Sequence, residues 1–167
     1  MTSTTVPTTT VQVHRVHIRA TPEAVWEAIT SPEWTKRYGY HSPADYDLRA
    51  GGAYRSLPSE EMVAHGVPAD GPVIDGEVLE VDPPRRLVQT WRMLFTPELV
   101  AEGFTRLTYE IEPEADGVTT LTVTHDVTDA PITAASVSAP PSDAGGGWSV
   151  ILSDLKTLLE SGEPLYR

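Results

Sequence analysis

The stretch Gly76–Trp91, GEVLEVDPPRRLVQTW, constrains the fold of this chain more than any other. Two runs that alternate apolar and polar residues, as half-buried strands do, meet at Asp82-Pro83-Pro84. Proline donates no hydrogen bond to a strand ladder and presets a turn backbone, so the chain reverses there. The middle of the chain is therefore antiparallel sheet.

Other strands follow the same logic. Val11–Ala20 reads as a strand with Val16, Ile18 and Ala20 on one face. Val11 and Val13 fall in the opposite phase, which predicts a bulge near His14-Arg15. Tyr46–Arg49 and Ala53–Leu57 flank the hairpin signal Gly51-Gly52. Val73–Val81 and Arg86–Phe95 form the opening hairpin, and Phe104–Glu112 and Val118–Val127 are joined through Glu114-Ala115-Asp116-Gly117. Pro58–Pro72 and Thr128–Gly147, rich in Pro, Gly, Ser and Ala, read as loops.

Helices are marked by their starts. Thr21-Pro22-Glu23 supplies a cap, a proline at the first helical position and an acidic first turn. Val25, Trp26 and Ile29 make its stripe. Ser31-Pro32-Glu33 repeats the signal for a short helix carrying Trp34 and Tyr38, stopped by Gly39. The last helix is the longest. Trp148, Ile151, Leu152, Leu155, Leu158 and Leu159 recur at helical spacing, and Gly162 and Pro164 end it.

The expected fold is α+β. A curved antiparallel sheet of about six to seven strands grips a long C-terminal helix, with two short helices after the first strand. Residues 1–10 are expected to be a flexible tail and residues 11–167 a single domain. A straight helix cannot touch a curved sheet along its whole length, so a gap between them is expected.

Composition removes several functions. There is no cysteine, hence no disulfide, thiolate chemistry or cysteine metal site. The net charge of −12 repels phosphate backbones and anionic membranes, so neither nucleic acid nor membrane is an expected partner. No secretory leader and no membrane-spanning run is visible, which predicts a cytoplasmic protein, and a monomer is expected. The histidines at 14, 17, 41, 65 and 125 have no ligand spacing, and no GxGxxG, P-loop or GxSxG motif occurs. Neither a metal nor a cofactor is predicted.

Four segments together resemble the SRPBCC superfamily of START-like helix-grip domains, and within it the branch related to the activator of Hsp90 ATPase. They are ATPEAVWEAITSPEW (20–34), AGGAY (50–54), GEVLEVDPPRRLVQTW (76–91), and LTVTHDV followed by GGWSVILSDLKTLLE (121–127, 146–160). The resemblance implies a helix-grip fold with a cavity between sheet and last helix. It is less specific for activity. Such families include lipid and hormone binders, polyketide cyclases and aromatases, co-chaperone domains, and proteins that sequester enediyne antibiotics. The two Pro-rich loops, longer than a minimal member needs, are expected at the cavity mouth.

Alternation assigns the inward side chains. They are Leu107, Tyr109 and Ile111 on one strand, Leu121, Val123, His125 and Val127 on the next, and Trp91, Met93 and Phe95 on the hairpin, where Val88 and Leu94 argue for the other phase. The expected ligand-binding set is Trp26, Tyr38, Tyr54, Trp91, Met93, Phe95, Leu107, Tyr109, His125, Trp148, Leu152 and Leu155. Its rings offer a large contact area at small entropic cost. His125 has two readings: a satisfied core histidine, or a polar anchor and candidate general base with Tyr109 as partner. The strand carboxylates Glu77, Glu80 and Glu110 are expected to face solvent.

The leading functional expectation is binding of a small hydrophobic or aromatic ligand, a polyketide or enediyne, in natural-product biosynthesis or self-resistance. In an enediyne-resistance role, Gly117 or Gly145-Gly146-Gly147 would offer the hydrogen atom. The alternatives are a polyketide cyclase or aromatase and an Hsp90-type co-chaperone module.

Overall fold

A computed structural model describes residues 9–139 and 146–166. The tail expected over residues 1–10 lies largely outside these, as does Gly145. Seven strands form one antiparallel sheet: β1 (Val11–Ile18), β2 (Ala44–Tyr46), β3 (Ala53–Ser56), β4 (Ile74–Asp82), β5 (Arg86–Met93), β6 (Thr105–Pro113) and β7 (Thr119–Asp126). Their order across the sheet is β1-β7-β6-β5-β4-β3-β2. Helices α1 (Pro22–Thr30), α2 (Pro32–Thr35), α3 (Glu60–Ala64), α4 (Pro97–Glu102), α5 (Pro131–Val137) and α6 (Gly147–Ser161) complete the described residues. The α+β helix-grip architecture is the one expected. None of these helices is long and apolar enough to cross a membrane.

Local chemistry explains the turns. The β4–β5 reversal is closed by Arg85 N–H donating to Asp82 O at 2.8 Å. Thr21 Oγ1 accepts from Ala24 N at 3.1 Å and caps α1. Asp116 and Gly117 take positive φ (61° and 75°) between β6 and β7. At the far end of α6, Gly162 takes the left-handed conformation that stops the helix.

Several expectations are corrected. β1 carries no bulge: its pairing runs unbroken from Val11↔Asp126 to Ile18↔Thr119. Val11 and Val13 simply remain exposed, because the inward phase of that strand end is taken by Gln12 and His14. These polar groups are partnered, with Gln12 Nε2 donating to Ala134 O at 3.0 Å and the His14 ring 3.4 Å from Gln12 Oε1. The helix α2 stops at Thr35, so Tyr38 sits in the turn beyond it. Neither Pro-rich stretch is plain loop. Pro58–Pro72 contains α3, capped by Ser59 Oγ, and Thr128–Gly147 contains α5.

The core lies between the sheet and α6 with α1. Ile18, Leu107, Ile111, Leu121 and Val123 from the sheet meet Val25 and Ala28 of α1 and Leu152, Leu155 and Leu158 of α6. On β5, Trp91 and Met93 are buried as expected, but so are Leu87, Val88 and Gln89, so that strand is covered on both faces. Asp154 is buried on the apolar side of α6. Its carboxylate accepts from Gly39 N–H at 2.8 Å and Leu165 N–H at 2.7 Å, which ties two loops to the helix. A buried carboxylate is tolerated only with such partners.

The opening motif contains one position of close approach. A Cβ on Gly76 would lie 1.9 Å from Thr90 O on the paired strand. Gly76 also pairs with Tyr54 on its other side. Gly76→Ala is expected to lower unfolding free energy by at least about 2 kcal/mol, since backbone must move to admit the methyl. Denaturant unfolding measures it, and an unchanged midpoint would contradict this packing.

Candidate functional site

Between the sheet and α6 lies a cavity of about 390 Å³, within the range of small-molecule sites. The sheet contributes Tyr46, Tyr54, Ser56, Ile74, Trp91, Met93 and Tyr109. The turn after α2 contributes Tyr38, Gly39 and Tyr40, and α6 contributes Trp148 and Ile151. Met62 of α3, Leu99 of α4, and Ser136 and Val137 of α5 also line it. Both Pro-rich stretches therefore reach the cavity through short helices.

The expected residues divide into two groups. Tyr38, Tyr54, Trp91, Met93, Phe95, Tyr109 and Trp148 line the cavity. Phe95 lies past the end of β5 and is 47% exposed, at the rim. Trp26, Leu107, His125, Leu152 and Leu155 do not line it and belong to the surrounding core. Glu77 and Glu80 are exposed and Glu110 half-buried; Glu80 and Glu110 pair with Arg86, and none of the three faces the cavity. Sequence reasoning missed Tyr40, Tyr46, Ser56, Met62 and Val137. The Gly51-Gly52 hairpin signal located the strand with Tyr46, but three residues are too few to show which face it presents.

His125 is fully buried, and both of its ring nitrogens are engaged. Trp148 Nε1–H donates to Nδ1 at 3.1 Å. That fixes the tautomer, so Nε2–H donates to Thr105 Oγ1 at 2.7 Å. The Thr105 hydroxyl then donates to Trp91 O at 2.7 Å. The chain of donors runs one way and ends on a backbone carbonyl. Tyr109 is not the partner of His125; its ring meets Trp148 edge-on, with centroids 6.1 Å apart. Burial, reinforced by the His14 charge and opposed by Asp126, lowers the His125 pKa to about 4. The imidazole is neutral at pH 7 and acts as a support for Trp148, a wall of the cavity.

The cavity tyrosines form a second polar system. Tyr38 O–H donates to Ala28 O at 2.8 Å, and Tyr46 O–H to Gln89 Oε1 at 2.6 Å. Tyr46 and Tyr54 stack with centroids 4.5 Å apart. Burial pushes the Tyr54 phenol up to about 12 and raises Tyr38, Tyr46 and Tyr109 as well. These hydroxyls therefore stay protonated and serve as donors. No Asp, Glu, Lys, Arg or His side chain is among the described lining residues. Nor do three or more His, Asp or Glu side chains gather there as metal ligands would. The arrangement can enclose an apolar, ring-bearing molecule and offer it neutral donors.

The His125 network makes stability pH dependent in a stated direction. A histidine held neutral contributes fully above its unfolded pKa of 6.5, and the contribution is lost as pH falls toward about 4. The total loss is on the order of 3 kcal/mol. Urea unfolding at pH 7.5, 5.5 and 4 is expected to show this decline, with a flatter profile for His125→Gln. Equal slopes in the two proteins would contradict the assignment.

Comparison with known proteins agrees with this architecture. A family model for activator of Hsp90 ATPase homolog 1-like proteins matches residues 19–160. No curated protein sequence matches the chain. Among solved structures, the Aha1 dimer from Colwellia psychrerythraea is similar with a TM-score of 0.60 and 18% identity, over 92% of this chain and 98% of that one. The HSP90 activator PFC0360w from Plasmodium falciparum has a TM-score of 0.53 and 22% identity, over 70% and 71%. DynU16, from the dynemicin biosynthetic locus, has a TM-score of 0.63 and 23% identity, over 92% of this chain. The chain spans 48% of the length of DynU16. At these identities the structures speak for the shared fold alone. The family model covers most of the chain, which therefore belongs to the activator of Hsp90 ATPase homolog 1-like family.

Proposed function

We propose that this protein binds an apolar, ring-bearing small molecule, of the polyketide or enediyne kind, in the cavity between sheet and α6, in natural-product biosynthesis or self-resistance. The observation that carries the reading is the cavity itself: about 390 Å³, walled by aromatic rings, with no charged side chain among its described lining residues. Rigid rings give contact area at low entropic cost. The likeness in fold to a protein from the dynemicin locus is consistent with such a ligand. Simple binding is favoured over cyclase or aromatase turnover because the described lining residues include no carboxylate or free imidazole to move a proton. The family name and the likeness to an HSP90 activator favour a second reading, a co-chaperone module.

Calorimetry with an aromatic polyketide is expected to show one saturable site. Ile151→Trp and Ser136→Trp, which fill the cavity, are expected to weaken binding at least about tenfold, with the near-ultraviolet dichroism of a folded core retained. Undiminished binding in both folded variants would place the ligand elsewhere. No binding of the polyketide, together with binding of an Hsp90 middle domain, would favour the co-chaperone reading.

A further inference from the structure

Five tyrosines line the cavity, and their hydroxyls are not equivalent. Tyr38 donates to Ala28 O and Tyr46 to Gln89 Oε1. The Tyr54 oxygen is engaged by Ser56 and Trp91, and the Tyr40 oxygen by Gly147 N–H. Tyr109 alone has no hydrogen-bond partner among the described residues; its ring contact is with Trp148. Tyr109 is half-buried and lines the cavity, so its hydroxyl is left to donate to an acceptor that enters.

We infer that the occupant is an uncharged polycycle bearing a carbonyl-type hydrogen-bond acceptor, and that Tyr109 selects it by donating its hydroxyl proton to that oxygen. The inference rests on the cavity being a binding site, as proposed above, and goes further by fixing the charge and polar chemistry of what enters. Three observations carry it. First, the described lining contains no cation, so a carboxylate would be desolvated without a counter-charge, a large cost. The net charge of −12 also repels anions on approach. Second, the described lining contains no carboxylate to neutralise a cation. Third, the one uncommitted phenol stands on β6 in edge contact with Trp148, whose indole is itself locked by His125. A flat molecule lying against Trp148 therefore meets a donor from Tyr109 at its edge, and a ring ketone presents an in-plane oxygen to such a donor.

Four tricyclic probes separate these claims: fluorenone, fluorene and fluorene-9-carboxylate, which share one ring frame, and, for the cation, N-methylacridinium. Calorimetry on the full chain is expected to show fluorenone binding about tenfold tighter than fluorene, the worth of one neutral hydrogen bond to an otherwise unpaired donor. Tyr109→Phe is expected to abolish that preference, so that fluorenone and fluorene bind the variant equally. Tyr46→Phe, which strips Gln89 of its donor, is expected to lower the melting temperature yet keep the ketone preference. The carboxylate and the acridinium are expected to bind at least about tenfold more weakly than fluorenone, because neither finds a counter-charge. Equal binding of fluorenone and fluorene, or a ketone preference that survives Tyr109→Phe, would overturn the role of Tyr109 while leaving the cavity as a binding site. Tighter binding of either charged probe would overturn the claim of an uncharged ligand. If none of the four binds, the cavity reading falls and this inference falls with it.

Discussion

The hydrogen bond from the Trp148 indole to His125 joins the first turn of α6 to β7, the strand beside the sheet edge β1, and the cavity depends on it. Leu121, Val123 and His125 lie on the inward phase of β7, with buried Val127 just past its end, and without His125 this stretch would present only apolar surface. With His125 among them, the indole has one favourable position, and the imidazole passes its own proton to Thr105. Each donor from the Trp148 indole through His125 to Thr105 has its acceptor, so moving Trp148 would expose at least one buried group. The same turn is crowded from the other side. A Cβ on Gly147 would lie 2.2 Å from Val137 O, so α5 sits directly on the start of α6 and delivers Val137 to the cavity.

The gap lies where α6, which packs on β1, makes no comparable contact with the far strands β2, β3 and β4. Rings fill such a space incompletely. Tyrosines bring hydroxyls into it, and each must bond within the protein or face the cavity. Tyr38 and Tyr46 reach backbone and amide acceptors behind the wall. Among the described lining residues the result is an enclosure of apolar faces with neutral donors.

Much of this was legible in the sequence. The Pro83-Pro84 reversal, the alternation of Leu107, Tyr109 and Ile111, and the stripe from Trp148 to Leu158 placed the sheet, its inward face and the gripping helix. What was not legible has physical reasons. A five- or seven-residue helix such as α3 or α5 is too short to display a 3.6-residue period, and Pro and Gly around it read as loop. Asp154 looks like a solvent residue until Gly39 and Leu165 bring their N–H groups to it, and such long-range partners leave no mark in local pattern. The same holds for Gln89, whose buried amide oxygen accepts from Tyr46 of another strand. His125 could be placed on the inward face, but alternation cannot tell a residue that lines a cavity from one that braces its wall.

The central claim is that the space between sheet and α6 receives a ligand. The chain carries four tryptophans as built-in reporters. Trp91 and Trp148 line the cavity, whereas Trp26 and Trp34 do not. In a 1H–15N spectrum titrated with an aromatic polyketide, the account predicts saturable shifts of the Trp91 and Trp148 indole signals with Trp26 and Trp34 unmoved. Four unmoved signals, or four that drift together without saturation, would contradict it.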